Sequence, residues 1–454
     1  MHFVKRLILI VFAASLSAAL SYGPAKPATP DYIMHETPTA DSALTTESPM
    51  PDVFNDEKRE ARLLTRLRDK LKVMSPFWAD TALNLRLRTY YFDRDTENYP
   101  GSRAWALGGW LSYKSGWAAD RVQLGGTLYT SQPLDAPNDK DGSLLLAPGQ
   151  EAITVLGQAY LKFKLIDKTE LTLFRQELDL PFINRQDNRM APNTYEGYTL
   201  LSTTWDSCKF IVSHITKIKK RDANSFVSMS EAAGIKNSNE GVSLAGVLFQ
   251  PMDYFNLGFI DQYSWDHMNT FYSEANFAWL PDQETGLKLS GQFARQNSVG
   301  DKLGGDFSTH FWGVQANASY KGAVLTLAYT AVDDGAAILF PYGGYPGYSS
   351  LIVKKFNRAA EQCWVAGLSY DFGRIGLKGV SGFVNYGRGY TPDQGQNAAP
   401  DQDELDLTLD YRPKDGAMQG FWLRLRAAFV DQGGAKAADV TEYQFICNYD
   451  FNLL

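Results

Sequence analysis

Phe421-Trp422-Leu423-Arg424-Leu425-Arg426-Ala427-Ala428-Phe429 reads with a period of two: Phe421, Leu423, Leu425, Ala427 and Phe429 share one parity, and Trp422, Arg424, Arg426 and Ala428 the other. Successive side chains of a β-strand point to opposite faces, so an apolar row stands back to back with a row carrying two arginines. Leu83, Leu85 and Leu87 alternate in the same way with Asn84, Arg86 and Arg88. So do Ala159, Leu161, Phe163 and Leu165 with Gln158, Tyr160, Lys162 and Lys164, and Leu405, Leu407, Leu409 and Tyr411 with Asp406, Thr408, Asp410 and Arg412. The pattern begins near Thr81 and recurs to the C-terminus in about eighteen candidate strands, from 83–92 and 104–113 through 241–250 to 420–429 and 441–451.

The joining segments alternate in length. Tight turns are expected around 167–168, 206, 251–253, 321–322 and 371–374, and long loops at 130–152, 179–195, 218–240, 333–360 and 389–402. A soluble sandwich has no reason to segregate turns and loops this way, whereas a transmembrane barrel has short periplasmic turns and long extracellular loops. The strands are near the roughly nine to eleven residues that a tilted strand needs to cross hydrocarbon. Their even number suits a bacterial single-chain barrel. A hydrophobic fraction of 44% and a net charge of −7 would also suit a globule, but 24 Tyr, 26 Phe and 10 Trp can supply two aromatic girdles.

The N-terminus agrees. Met1-His2-Phe3-Val4-Lys5-Arg6 and the apolar run 7–20 form the basic and hydrophobic regions of a signal peptide, with cleavage expected near Ala19 or Ser21. Residues 1–21 are therefore expected to be removed on export. Residues 22–54, rich in Pro, Ala, Ser, Thr and Asp, read as a flexible linker. Residues 55–75 read as a periplasmic helical segment, because Leu64, Leu67 and Leu71 fall at helical spacing among charges. A solvated helix and a short oligomerising coil both fit it. The expected fold of 80–454 is an all-β, antiparallel transmembrane barrel in the outer membrane of a Gram-negative bacterium. The aromatic row Tyr443, Phe445, Tyr449 and Phe451 resembles what barrel-assembly machinery reads, although the chain closes on Leu453-Leu454. Cys208, Cys363 and Cys447 have the spacing of neither a disulfide framework nor a metal site.

Several stretches resemble the OprD-type outer-membrane porin family. They are Leu85-Arg86-Leu87-Arg88-Thr89-Tyr90-Tyr91-Phe92-Asp93-Arg94-Asp95, Leu111-Ser112-Tyr113-Lys114-Ser115-Gly116 and Phe174-Arg175-Gln176-Glu177-Leu178-Asp179-Leu180-Pro181-Phe182-Ile183-Asn184. The most specific is Asp187-Asn188-Arg189-Met190-Ala191-Pro192-Asn193-Thr194-Tyr195-Glu196-Gly197. The resemblance implies an 18-stranded barrel whose third extracellular loop, here 179–195, folds into the lumen and narrows it for small solutes, often carboxylates. It also implies that a later loop, here 333–360 with Tyr342, Tyr345, Tyr348, Lys354 and Lys355, contributes to the constriction.

Cationic rows in a narrow pore favour anions. Arg86, Arg88, Arg424 and Arg426 lie on the polar parity of the first and seventeenth strands, which closure would bring to one basic wall; Lys162 and Lys164 would add a second patch. The alternative is that Asp406, Asp410 or Asp450 satisfies them. Arg185, Asp187 and Arg189 can hold the third loop to the wall, line the eyelet, or both. Arg175 and Arg295 have the parity of their strands' leucines, wrong for the lumen unless a bulge reverses them, although the resemblance suggests a lumenal Arg175.

No nucleophile elbow, zinc motif or phosphate loop is present, and His214, His267 and His310 are scattered. Asp266-His267 is the one candidate dyad, more simply a hydrated loop pair. The expectation is passive, selective diffusion of small hydrophilic solutes, with no catalytic residues, metal, cofactor or nucleic-acid partner. Outer-membrane lipid and lipopolysaccharide are the expected surroundings, and a homo-oligomer is open. The rival readings are a plugged structural or adhesin barrel and an outer-membrane hydrolase.

Overall fold

The structure, a computed structural model, describes residues 64–454 apart from 206, 283, 392–398 and 435–437. The expected signal peptide, the linker and residues 55–63 of the helical segment lie outside the described residues. Helix α1 (Thr65–Lys72) and the single turn α2 (Pro76–Ala79) precede the strands.

Eighteen antiparallel strands form a closed barrel. In order they are β1 (Ala82–Thr96), β2 (Tyr99–Lys114), β3 (Val122–Asp135), β4 (Ile153–Ile166), β5 (Thr169–Gln176), β6 (Thr194–Trp205), β7 (Cys208–Lys219), β8 (Val242–Met252) and β9 (Phe255–Ser264). There follow β10 (Met268–Trp279), β11 (Thr285–Ser298), β12 (Ser308–Tyr320), β13 (Ala323–Val332), β14 (Gln362–Asp371), β15 (Val380–Tyr390), β16 (Gln402–Tyr411), β17 (Phe421–Gln432) and β18 (Val440–Asn452). Each pairs with the next, and β1 closes on β18 in a register running from Asn84↔Asn452 to Thr96↔Val440.

Alternation follows from the two solvents. On β1, Asn84, Arg86, Arg88, Tyr90 and Phe92 are at most 3% exposed and face inward, while Leu87 is 46% exposed on the outer wall. Exposed aromatics gather at both ends of that wall: Trp205, Tyr254, Trp279 and Tyr320 near the periplasmic turns, and Trp105, Phe293, Trp312 and Trp364 near the other rim. The turn at Lys321-Gly322 has φ of 47° and 85°, the left-handed pair that a two-residue hairpin matching strand twist requires.

Three expectations change. β3 continues to Asp135, so the loop expected at 130–152 begins after it. Residues 93–103 do not form a loop: β1 and β2 continue as a hairpin that turns at Glu97-Asn98, with Arg94 ion-paired to Glu442 at 2.5 Å. Pro251 and Met252 belong to β8, so the turn before β9 is Asp253-Tyr254. All three cysteines are free thiols.

Candidate functional site

The third loop, 177–193, leaves β5 and folds into the lumen as the resemblance implies. Its tip is a short hairpin pairing Asp179-Leu180 with Ile183-Asn184. Leu178, Leu180, Phe182 and Ile183 are buried against inward residues of seven successive strands, among them Ile215, Val242, Leu244, Ile260, Tyr272, Phe311 and Val332. The seventh loop, 333–361, lies on the same cluster through Ile338, Tyr342 and Tyr345.

Hydrogen bonds fix the two loops to each other. Tyr195 Oη donates to Asn184 O (2.6 Å) and to Tyr342 O (2.5 Å). Asn184 accepts from Gly344 N (2.7 Å) and donates to Gly344 O (3.2 Å). The approach is close enough that a Cβ on Gly343 would stand 2.7 Å from Asn184 N. Burial pushes the Tyr342 hydroxyl up to about 12, so it stays protonated in its bond with Ser264 (2.6 Å). Tyr345 and Tyr348 are 1% and 4% exposed. The three loop tyrosines therefore anchor the constriction from beneath; they do not present their faces to the pore.

Across the lumen the wall is charged. Arg86 is ion-paired with Asp450, and Arg424 with Asp410 at 2.8 Å. Arg88 binds Asp187 at 2.7 Å, takes Asn448 at 2.7 Å and also donates to Arg189 O, which ties the third loop to β1. Trp110 lies under Arg86 and Arg88, and Trp422 under Arg424. Arg426 has no hydrogen-bond or ion-pair partner among the described residues; its electrostatic neighbours are Arg424, Tyr90, Asp406 and Asp410.

The seventh loop reaches this wall through backbone. Val353 N and Lys354 N donate to the two carboxylate oxygens of Glu404 (2.7 and 2.5 Å), and Ile352 N donates to Asp406 (3.0 Å). Lys354 Nζ continues to Gln432 (3.0 Å). Lys355 stands beside Glu404, Asp406, Arg221 and Arg189, and burial pulls its ammonium down to about 8 against the raising effect of the two acids. Among the described residues Arg189 donates to two carbonyls, Ser143 O (2.9 Å) and Asn188 O (2.8 Å), with its guanidinium 4.9 Å from the Phe92 ring centre. Arg221 donates to the Asn188 side chain. Thus Arg189, Arg221 and Lys355 are electrostatic neighbours, Arg189 and Arg426 both act on Tyr90, and none of the four has a carboxylate within ion-pair distance among the described residues.

A porin family model, outer membrane porin of the OprD family, matches residues 75–453. The chain belongs to the OprD family. Porin D of Pseudomonas aeruginosa is 23% identical over 451 residues, covering 91% of this chain and 97% of that one. Among solved structures, OccK9 (OpdG) of P. aeruginosa superposes with a TM-score of 0.76 at 23% identity, covering 84% of this chain and all of the other. OpdK of the same species, solved with vanillate, gives 0.75 at 20%, covering 82% and 99%. OccAB1 of Acinetobacter baumannii gives 0.76 at 16%, covering 85% and 100%. This OprD-family protein is thus a non-enzymatic channel of the Gram-negative outer membrane that passes small solutes.

The remaining sequence-derived positions separate within the OprD-family barrel. Arg185 stays inside the third loop, 3.6 Å from Asp179 and 3.9 Å from Glu177. Lys162 and Lys164 point inward near the periplasmic end, but Glu170 (3.0 Å) and Asp120 (2.8 Å) neutralise them. Arg175 is not lumenal. It keeps the outward parity of Leu171 and Leu173, binds Glu196 at 3.3 Å and stacks on Phe226 at 4.5 Å. The inward position falls to the next residue, Gln176, which is buried and paired with Tyr195. Arg295 is exposed on the outer wall in a register without a bulge. Asp266 caps a loop by accepting from Asp301 N (3.3 Å), and buried His267 has no partner at Nδ1 among the described residues. Sequence reasoning missed Arg221 and Glu404 in the eyelet. Arg221 ends the run Lys217-Ile218-Lys219-Lys220-Arg221, a visible charge signal whose inward turn is not visible.

Proposed function

We propose that this porin selects small carboxylates and other small anions, and that its eyelet cations carry the preference. The observation behind the reading is the group Arg189, Arg221, Lys355 and Arg426, which have no carboxylate within ion-pair distance among the described residues, beside Arg86, Arg88 and Arg424, whose charge is balanced by Asp450, Asp187 and Asp410. The balanced pairs form a polar track with little net field, and the four without an ion-pair partner supply positive charge where the third and seventh loops fold into the lumen, tempered by Glu404 and Asp406 nearby. A solute carboxylate can exchange its water there for guanidinium and ammonium donors. Loose binding is required, because a tight site would block flux. The relative solved with vanillate, an aromatic carboxylate, supports the same solute class. Within this reading residues 1–21 act as a cleaved signal peptide, and the barrel stands among phospholipid and lipopolysaccharide.

Planar-bilayer reversal potentials in a salt gradient test it, with benzoate and succinate as probes. An anion-leaning potential that weakens in Arg426→Gln and Arg189→Gln supports the proposal. A cation-leaning potential unchanged by neutralising Arg189, Arg221, Lys355 and Arg426 together would sink it.

A further inference from the structure

Helix α1 plays no part in the eyelet. It carries Arg66, Arg68, Lys70 and Lys72 against one acid, Asp69. At helical spacing Leu64, Leu67 and Leu71 form one stripe; Arg68 and Lys72 flank it on one side, Lys70 and Arg66 on the other, and Asp69 lies opposite. No residue of the helix is buried. Leu67 is 44% exposed, and Val73, Met74 and Trp78, which follow, are 86%, 51% and 43% exposed.

The segment is moored to the periplasmic rim. Gly116 N, in the β2–β3 turn, donates to Phe77 O of α2 at 2.9 Å. Arg68, Leu71 and Lys72 share a cleft of about 410 Å³ with Ala79, Asp80 and Leu454. The helix therefore sits beside β18, β1 and β2 at the end where the barrel leaves the hydrocarbon, continuous with an established lipid interface. An apolar stripe bordered by cations on both sides is the arrangement of a helix lying in a membrane surface: long basic side chains reach outward to phosphates while the apolar face meets the acyl boundary.

We propose that α1 lies on the inner leaflet of the outer membrane, where Arg66, Arg68, Lys70 and Lys72 bind phosphates of anionic glycerophospholipids and Leu67, Val73, Met74 and Trp78 enter the headgroup boundary. Each cation near an anionic surface raises surface partition by roughly five-fold. The interaction is therefore dependent on anionic lipid and weakened by salt.

The test uses the full chain folded in vesicles, with Cys208, Cys363 and Cys447 replaced by Ser and an environment-sensitive fluorophore on Leu67→Cys. In phosphatidylethanolamine vesicles containing phosphatidylglycerol, the expected result is blue-shifted emission shielded from aqueous iodide. Both effects should be lost at high salt, without the anionic lipid, and in the combined variant Arg66→Glu, Arg68→Glu, Lys70→Glu, Lys72→Glu. Heat-modifiable gel mobility confirms that each variant retains a folded barrel. A label equally accessible in all vesicles overturns the proposal. So does shielding that ignores lipid charge and salt, which would mean packing against the barrel base, or shielding that grows with protein density alone, which would mean helix pairing.

Discussion

The third and seventh loops meet the barrel on two flanks by different physics. On the flank of β7 to β13 they present Leu180, Phe182, Ile338, Tyr342 and Tyr345 to Ile260, Tyr272 and Phe311. On the flank of β16 to β18 and β1 they meet carboxylates and guanidinium groups: Asp187 on Arg88, and the 352–354 backbone on Glu404 and Asp406. Apolar packing is non-directional and insensitive to ions, so it holds the constriction in place. Charged contacts are directional, and under the proposed function those left unbalanced carry the choice of solute. On that reading anchoring and selection fall on separate sides of one lumen.

The largest effect should come from attacking the anchor. Phe182→Ala removes a 2% exposed ring packed on Tyr272 and Tyr345, at a cost of about 3–5 kcal/mol to the docked loop. Single-channel recordings should show larger, noisier conductance with the same ion preference; unchanged noise would deny the loop its apolar anchor. Next, Asp187→Asn strands the buried Arg88 charge, costing about 3 kcal/mol. This variant should flicker and also shift toward anions, because a negative charge has gone. A variant that flickers with no shift would place Arg88 outside the selectivity field.

A smaller effect should follow pH. Lys355 titrates at about 8, so it is largely protonated at neutral pH and loses its charge as pH rises through that value. Anion preference should fall over that rise in the native channel and stay flat in Lys355→Met; parallel curves for the two would remove Lys355 from the aperture. The smallest effect belongs to Arg175→Ala. Because Arg175 faces outward with Glu196, reversal potential should not move, and a clear shift would return it to the lumen.

Much of this architecture was readable in the chain. Alternation located every strand, because one face answers to lipid and the other to water. It fell short at 99–103 and 130–135, where β2 and β3 continue past the lipid edge. There hydrophobic alternation ends while backbone pairing goes on. Parity also placed Arg86, Arg88, Arg424 and Arg426 inside. Which of them are balanced was not readable, because the pairing with Asp450 depends on how β1 registers against β18. Arg221 escaped for a related reason: it lies beyond the end of β7 on a loop whose path is set by packing, not by a local period. Glu404 lies in β16 on the inward parity of Asp406; what the chain does not show is that the seventh-loop backbone docks on it. Arg175 shows the reverse, since its outward parity was correct as it stood and the family resemblance pointed the other way.

The seam between β1 and β18 has a consequence for biogenesis. Asn84 finds its partner in Asn452, and Thr96 in Val440, so the first strand to emerge cannot complete its ladder until the last has been synthesised and exported. Closure over nearly the whole chain carries a large ordering cost and is intrinsically slow. Until then two open edges and an outer wall of leucines and aromatics stand exposed to water, an aggregation hazard. A chain held open this long in the periplasm depends on being kept from its neighbours until the last strand arrives.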